Sequence, residues 1–288
     1  MSGAAEQLPP DSPAADRPGP STRAPVVTVR GDPRTRRRDR LATEEPMEIR
    51  AEPPGGEQQP VAVTMRTPGH DFELAAGFLF SEGLIGPADV RGIRYCAVPR
   101  EEQHYNVVSV SVAKPLPELG AQRNFYASSS CGICGKASLD AIDVRCAPVA
   151  DGPAVEAAVL LSLPDQLRSA QDVFDRTGGL HAAALFDAGG RPLVVREDVG
   201  RHNAVDKVIG AQLLAEQLPL SDRILMVSGR ASFEIVQKAA VAGVPIICAV
   251  SAPSSLAVDA ARRFGITLVG FLRDDRFNVY TGEQRIAG

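Results

Sequence analysis

Cys131 and Cys134 stand two residues apart in Ser128-Ser129-Ser130-Cys131-Gly132-Ile133-Cys134-Gly135-Lys136-Ala137-Ser138, in a chain with only five cysteines. Small neighbours leave both sulfurs reachable, and the glycines let the loop fold back on itself. Lys136 brings a positive charge close enough to favour the thiolate, the form that attacks electrophiles or binds metal. Three chemistries are open to such a pair. A structural zinc site needs two more ligands, and the chain has no second CxxC and no HxxxH; Cys146, His181 and His202 lack matching spacing. A thioredoxin-like redox pair belongs between an early strand and a helix, in an aromatic context that is absent here. A sulfur carrier needs an exposed thiolate to accept a sulfane sulfur and a second thiol to assist its release, and the motif meets both needs. Two inert buried thiols fit poorly with so polar and glycine-rich a setting. Cys96, Cys146 and Cys248 sit among apolar or small residues and read as structural.

Two other segments suit an anion. Ser228-Gly229-Arg230-Ala231-Ser232 and Ser251-Ala252-Pro253-Ser254-Ser255 each follow an apolar run and precede a helical one. Small hydroxyl residues with exposed amides at a helix start cradle phosphate, and Arg230 adds a fork donor. For either segment alone, simple helix capping is the plainer reading; two in succession raise the case for a nucleotide-like ligand. Neither is a Walker or dinucleotide fingerprint. Glu197-Asp198-Val199-Gly200-Arg201-His202-Asn203 packs several polar groups between a strand and a helix, where His202 suits a base or orienting donor as well as a cap. His181, after Thr177-Gly178-Gly179, reads as a core histidine or a site residue.

The elements that position these groups follow from periodicity. Residues 1–40 are rich in Pro, Ala, Asp and Arg and predict a disordered tail, with Arg34, Arg36, Arg37, Arg38 and Arg40 as a solvated charge run. Acidic residues at Glu6, Asp11 and Asp16 disfavour a transit peptide. Pro46–Ala51 and Val61–Met65 predict a hairpin-like pair, and Phe72–Gly83 a helix with Asp71 as N-cap. Val107–Val112 alternates as a strand. From Val155 onward, helices alternate with short apolar strands: Val155–Asp175, Asn203–Glu216, Ser232–Ala242 and Ser255–Phe264 are helical. Ala182–Phe186, Leu193–Arg196, Arg223–Val227, Pro245–Val250 and Ile266–Phe271 are strands, with Arg276–Tyr280 as an edge strand. This order predicts an α/β fold whose sheet is parallel in part and covered on both faces.

Bulk properties narrow the function. The 288 residues are 44% hydrophobic and 23% charged, with net charge −4, ordinary for a soluble globular protein. A pI near 5.7 and the absence of Trp argue against nucleic acid. No apolar run approaches the roughly 18 residues a membrane-spanning helix needs. An odd cysteine count without a secretory signal predicts a reducing cytoplasm.

The ordered motifs resemble those of the FdhD family of formate dehydrogenase accessory sulfurtransferases. The residues that carry the resemblance are Ser129–Ala137, Glu44-Glu45-Pro46, Thr64-Met65-Arg66-Thr67-Pro68-Gly69, Glu197–Lys207, Ser228-Gly229-Arg230 and Gly270–Tyr280, collinear from about Leu41 to the end. The resemblance implies a cytidine-deaminase-like α/β core over 129–288, carrying the CxxC loop at its start, behind a smaller α+β domain over 41–128. It implies that Cys131 bears a persulfide received from a cysteine desulfurase, with Cys134 as helper thiol. The sulfur would pass to Mo-bis(molybdopterin guanine dinucleotide), bound as cargo before insertion into formate dehydrogenase. The family's cofactor-binding segment maps onto Phe271, Leu272, Arg273, Asp274, Asp275 and Arg276, and a homodimer is implied. No resident metal, nucleic acid or membrane belongs to this picture.

Overall fold

The computed structural model describes residues 17–30, 34–97, 103–117, 125–127 and 148–288. Cys131, Cys134 and Cys146, and the expected domain boundary at 128/129, lie outside the described residues. Strands β1 (Ser21–Thr28) and β2 (Thr35–Ala42) form an antiparallel ribbon. The disordered-tail expectation is therefore corrected over these residues. Their Pro- and Arg-rich composition conceals a strand whose pairing is set by cross-strand register, not by an apolar face.

A five-stranded sheet follows: β3 (Glu45–Glu52), β4 (Gln59–Arg66), β5 (Val90–Tyr95), β6 (Val107–Val112) and β7 (Phe125–Ala127), in the order β5-β6-β3-β4-β7. The β3/β4 hairpin matches the alternation of its sequence. Helix α1 (Asp71–Ser81) packs on this sheet, with His70 at its N-cap in the left-handed region. Asp71 is not the cap. Its carboxylate instead accepts from Arg66 Nε and Nη2 at 3.1 and 3.2 Å.

The remainder is a mixed α/β unit. Strand β8 (Val155–Glu156) leads into α2 (Ala157–Ser169) and α3 (Asp172–Thr177), followed by β9 (His181–Asp187), β10 (Pro192–Asp198) and α4 (Arg201–Leu214). Then come β11 (Arg223–Val227), α5 (Phe233–Ala242), β12 (Ile246–Ala249), α6 (Ser255–Phe264), β13 (Thr267–Arg273) and β14 (Arg276–Thr281). A short β15 (Ile286–Ala287) pairs with β8. The expected single helix over Val155–Asp175 is two, because Glu197 accepts from the amides of Val173 and Phe174 and starts α3 afresh. The sheet runs β10-β9-β11-β12-β13-β14, parallel through β11, β12 and β13 and antiparallel at both flanks. Ala182, Ala184 and Phe186 face α2, while Ala183 and Leu185 face the opposite layer. Burial on both faces is why these strands read as continuous apolar runs.

The second layer joins the two sheets. Helices α1 and α4 cross between them at two glycines, Gly77 and Gly210. A Cβ on Gly77 would overlap the Asp206 carbonyl, and one on Gly210 the Glu73 carbonyl. Charges from both halves pair beside this crossing. Lys207 Nζ lies 2.7 Å from Asp198 Oδ2, both essentially inaccessible to solvent, and donates to the Thr67 carbonyl at 2.9 Å. Asn203 Nδ2 donates to the Met65 carbonyl at 2.8 Å. Lys238 Nζ sits 2.9 Å from Asp206 and 3.0 Å from Glu82. Burial opposes the charge on Lys238, but the two carboxylates outweigh it and hold the amine above its ordinary value. Buried charges persist only when paired in this way.

Gly77→Ala and Gly210→Ala are expected to force the helices apart and lower stability by about 2–3 kcal/mol each in urea denaturation. Lys207→Met, which strands the buried Asp198 carboxylate, is expected to cost about 3–5 kcal/mol by the same measurement.

Candidate functional site

Parallel strands β11, β12 and β13 end on one edge of the larger sheet, and the antiparallel β9 begins there. That edge gathers His181, the turn Asp198–Gly200, both serine-rich junctions and the start of the Phe271–Arg276 segment. Backbone bonds stitch the loops side by side. Ser254 N donates to the Ala231 carbonyl at 3.0 Å, and Phe271 N to the Ser251 carbonyl at 3.2 Å. Ligands of open α/β sheets bind at such an edge, where helix N-termini face outward.

The serines divide into those the fold uses and those it leaves open. Ser254 Oγ accepts from Ala257 N at 3.2 Å and caps α6. Ser228 Oγ accepts from Ala182 N at 2.9 Å, tying β11 to β9. Ser232, at the N-cap of α5, makes no capping bond, and neither does Gly200 at the start of α4. The first amides of α4 and α5 thus have no side-chain cap among the described residues, and each helix end carries partial positive charge.

Histidines and arginines complete the edge. His202 Nε2 lies 2.8 Å from Glu234 Oε2 and 3.1 Å from Ser232 Oγ. The hydrogen bond from His202 holds the Glu234 carboxyl below its usual range, against the opposing effect of burial. Burial, reinforced by the nearby charges of Arg201 and His202, pushes His181 below its ordinary value and favours the neutral imidazole. A Cβ at Gly229 would come within 3.3 Å of His181 Nδ1, so a glycine there leaves the ring its place. Arg201 occupies the first turn of α4, where a cation opposes the helix dipole. Its Nε is buried with no hydrogen-bond partner among the described residues. The cations Arg201 and Arg230, beside two open helix starts, are groups that could hold phosphate-like oxygens.

Of the expected contact segment, Leu272 is buried in the core layer beneath α2 and anchors the hairpin. Arg273, Asp274, Asp275 and Arg276 are exposed around the β13/β14 turn, and Phe271 is half-buried with positive φ. Glu234 and Arg201 are the site residues that sequence reasoning gave no role. Only the misfit of an arginine at a helix start signals the second, and nothing in the sequence pairs Glu234 with His202. Much of Glu197–Lys207, a candidate ligand-facing stretch, turns inward: Asp198, Asn203, Asp206 and Lys207 are buried in the joint between the sheets. Cys96 is partly exposed, with its Sγ 3.8 Å from Arg50 Nη1. Cys248 is fully buried, and burial pushes its thiol well above the ordinary value. Among the described residues no group of three His, Cys, Asp or Glu converges to hold a metal. A cavity of about 250 Å³ is lined by Pro18, Glu45, Pro46, Gln103, His104 and Asn106, none of them a residue of this edge.

Comparison with known proteins agrees over nearly the whole chain. The FdhD/NarQ family profile matches residues 42–287. Sulfur carrier protein FdhD of Mycolicibacterium paratuberculosis is 59% identical over 257 residues, covering 87% of this chain and 93% of that one. The protein of the same name from Streptomyces avermitilis is 55% identical over 273 residues, 92% of this chain and 95% of that one. A crystal structure from Desulfotalea psychrophila, provisionally assigned as a formate dehydrogenase accessory protein, superposes with TM-score 0.70 and 28% identity, covering 93% of this chain and 99% of that one. The chain belongs to the FdhD/NarQ family.

Proposed function

We propose that this protein is a sulfur carrier that serves formate dehydrogenase. Cys131 accepts sulfur from a cysteine desulfurase as a persulfide, its thiolate attacking the outer sulfur of the donor and releasing the donor's thiolate. Cys134 assists release of that sulfur to Mo-bis(molybdopterin guanine dinucleotide), held as cargo. The observation that carries this reading is that a chain of the FdhD/NarQ family holds a CxxC in its sequence, supported by a sheet edge that gathers Arg201, Arg230 and two helix starts. Chain connectivity supports it. Ala127 of β7 pairs with Thr64 of β4, and Thr64 Oγ1 donates to Asn203 Oδ1 at 3.2 Å beside the start of α4. Cys131 follows Ala127 by four residues in the sequence.

Phosphates of the cargo are assigned to Arg201, Arg230 and the open starts of α4 and α5. Arg273, Asp274, Asp275 and Arg276 on the exposed turn, with Phe271 behind them, are assigned to its guanine or pterin groups. His202, oriented by Glu234, supplies a hydrogen-bond donor at the same edge. The larger sheet is read as a cytidine-deaminase-like core, supported by its mixed order with β9 antiparallel among parallel neighbours. The deaminase zinc signature, His-x-Glu with Pro-Cys-x-x-Cys, is absent from the sequence, so no deaminase activity comes with it. The protein is taken to act in the cytoplasm as a homodimer; no helix among the described residues is long and apolar enough to cross a membrane.

Incubation with an active cysteine desulfurase and cysteine is expected to add one reductant-labile sulfur, read by intact mass and peptide mapping. That sulfur should vanish in Cys131→Ala and persist in Cys134→Ala. No added sulfur on either thiol would sink the transfer chemistry and leave a cofactor-holding role. The double variant Arg201→Ala/Arg230→Ala is expected to weaken guanosine diphosphate binding about tenfold or more by calorimetry, the loss of charged hydrogen bonds, while Cys131 is sulfurated as before.

A further inference from the structure

His202 stands in the first turn of α4 and Glu234 in the first turn of α5. The two helix starts bring His202 Nε2 to 2.8 Å from Glu234 Oε2 and 3.1 Å from Ser232 Oγ. Glu234 is kept ionised twice over. The hydrogen bond from His202 stabilises its charge, and the first turn of a helix favours an anion. A carboxylate only accepts hydrogen bonds, so Nε2 carries a proton. The ring therefore gains and loses its second proton at Nδ1, which has no partner among the described residues. The side chain keeps 19% of its surface accessible, so this nitrogen belongs to a ring that is not sealed into the fold.

Two other readings of the cluster fail on geometry and charge. Ser232 shares Nε2 with the carboxylate, whereas in a nucleophilic triad the serine and the carboxylate hold opposite ring nitrogens. Ser232 is thus not an activated nucleophile. His181 is the second imidazole of the edge. Burial and the charges of Arg201, His202 and Arg230 favour its neutral form, with Asp198 alone opposing them. It is the poorer proton donor of the two.

Release of sulfur from a persulfide needs a proton donor. A thiolate that attacks the inner sulfur breaks the persulfide S–S bond and forms a disulfide, and the outer sulfur leaves with the bonding electron pair. From a persulfide anion that leaving group would be S2−, far too basic to depart; protonated as it leaves, it departs as HS−. Electrons balance without an outside oxidant or reductant, since both cysteine sulfurs end in the disulfide and the outer sulfur ends as sulfide. The proton has to come from an acid at the site.

We propose that His202, held by Glu234, is the general acid that protonates the outer sulfur from Nδ1 as Cys134 displaces it from Cys131. The assignment rests on the sulfur-carrier reading above. Chain order agrees with it. Strand β7 ends at Ala127, which pairs with Thr64, and Thr64 donates to Asn203, the neighbour of His202 in sequence. Glu234 is a positioning residue: it fixes the tautomer and the ring, and its charge offsets that of the imidazolium.

The test follows a single turnover. The full chain is loaded by a cysteine desulfurase and cysteine, freed of both, and monitored for sulfide release and for the mass of the Cys131–Cys134 disulfide. Wild type is expected to release its sulfur as sulfide. His202→Ala should load the same sulfur but release it at least about 100-fold more slowly, and added imidazole should restore much of the rate. Glu234→Ala should slow release about tenfold. His104→Ala, which removes an exposed imidazole that is not a residue of this edge, should behave as wild type. Release from loaded His202→Ala at the wild-type rate would overturn the general acid while sparing the carrier. Slow release that imidazole does not restore would also overturn it, leaving the ring a structural role. Loaded wild type that retains its sulfur would overturn the release step. Wild type that never loads, beside an active desulfurase, would overturn the carrier reading itself.

Discussion

The crossing of α1 over α4 at Gly77 and Gly210 is the constraint on which the rest of the structure depends. Two helix backbones come close enough there that neither position has room for a single methyl group. Such proximity would be costly beside unpaired charges, yet this layer buries Asp198, Asp206, Lys207 and Lys238. Each is paired beside the joint: Lys207 with Asp198 and, across it, the Thr67 carbonyl; Lys238 with Asp206 and, across it, Glu82. Tight backbone contact sets the distance between the sheets, and the ion pairs allow only one registry at that distance. Directional partners of this kind select a geometry more than they add net stability.

The candidate site inherits its shape from that joint. Asp198 Oδ1 accepts from Gly200 N at 2.8 Å, and Asp198 Oδ2 accepts from Thr67 N at 3.1 Å. One carboxylate therefore fixes the turn that opens α4 and ties it to the smaller sheet. The amides at the start of α4, Arg201 in its first turn and His202 beside Glu234 are consequently held from beneath. Preorganised donors cost little to reorient when an anion arrives, which is how a modest number of groups can bind it well.

Much of the larger sheet is legible in the sequence because continuous apolar runs such as Ile246–Ala249 have no alternative to burial. The ribbon over 21–42 is not, since prolines and arginines mask a strand that carries no apolar stripe. The role of Glu197–Lys207 is legible only in part. Residue types announce a polar cluster, but whether Asp198 and Lys207 face a ligand or a neighbouring sheet depends on a segment some 130 residues earlier. Serine-rich junctions show the same limit. Ser254 caps its helix and Ser232 does not, though both precede helices in similar sequence. The pairing of His202 with Glu234 likewise arises from two strand-to-helix turns brought together by parallel β11 and its neighbours.

Cys248 occupies the middle of β12, shielded by helices on both faces, with its thiol held in the protonated form by burial. A sulfane sulfur migrates to whatever thiolate it can reach, and each wrong transfer ends in a dead polysulfide or an unwanted cross-link. Seating a thiol in the central strand removes it from that traffic. The fold thus acts as an insulator as well as a scaffold, with the sheet's interior closed to reactive sulfur.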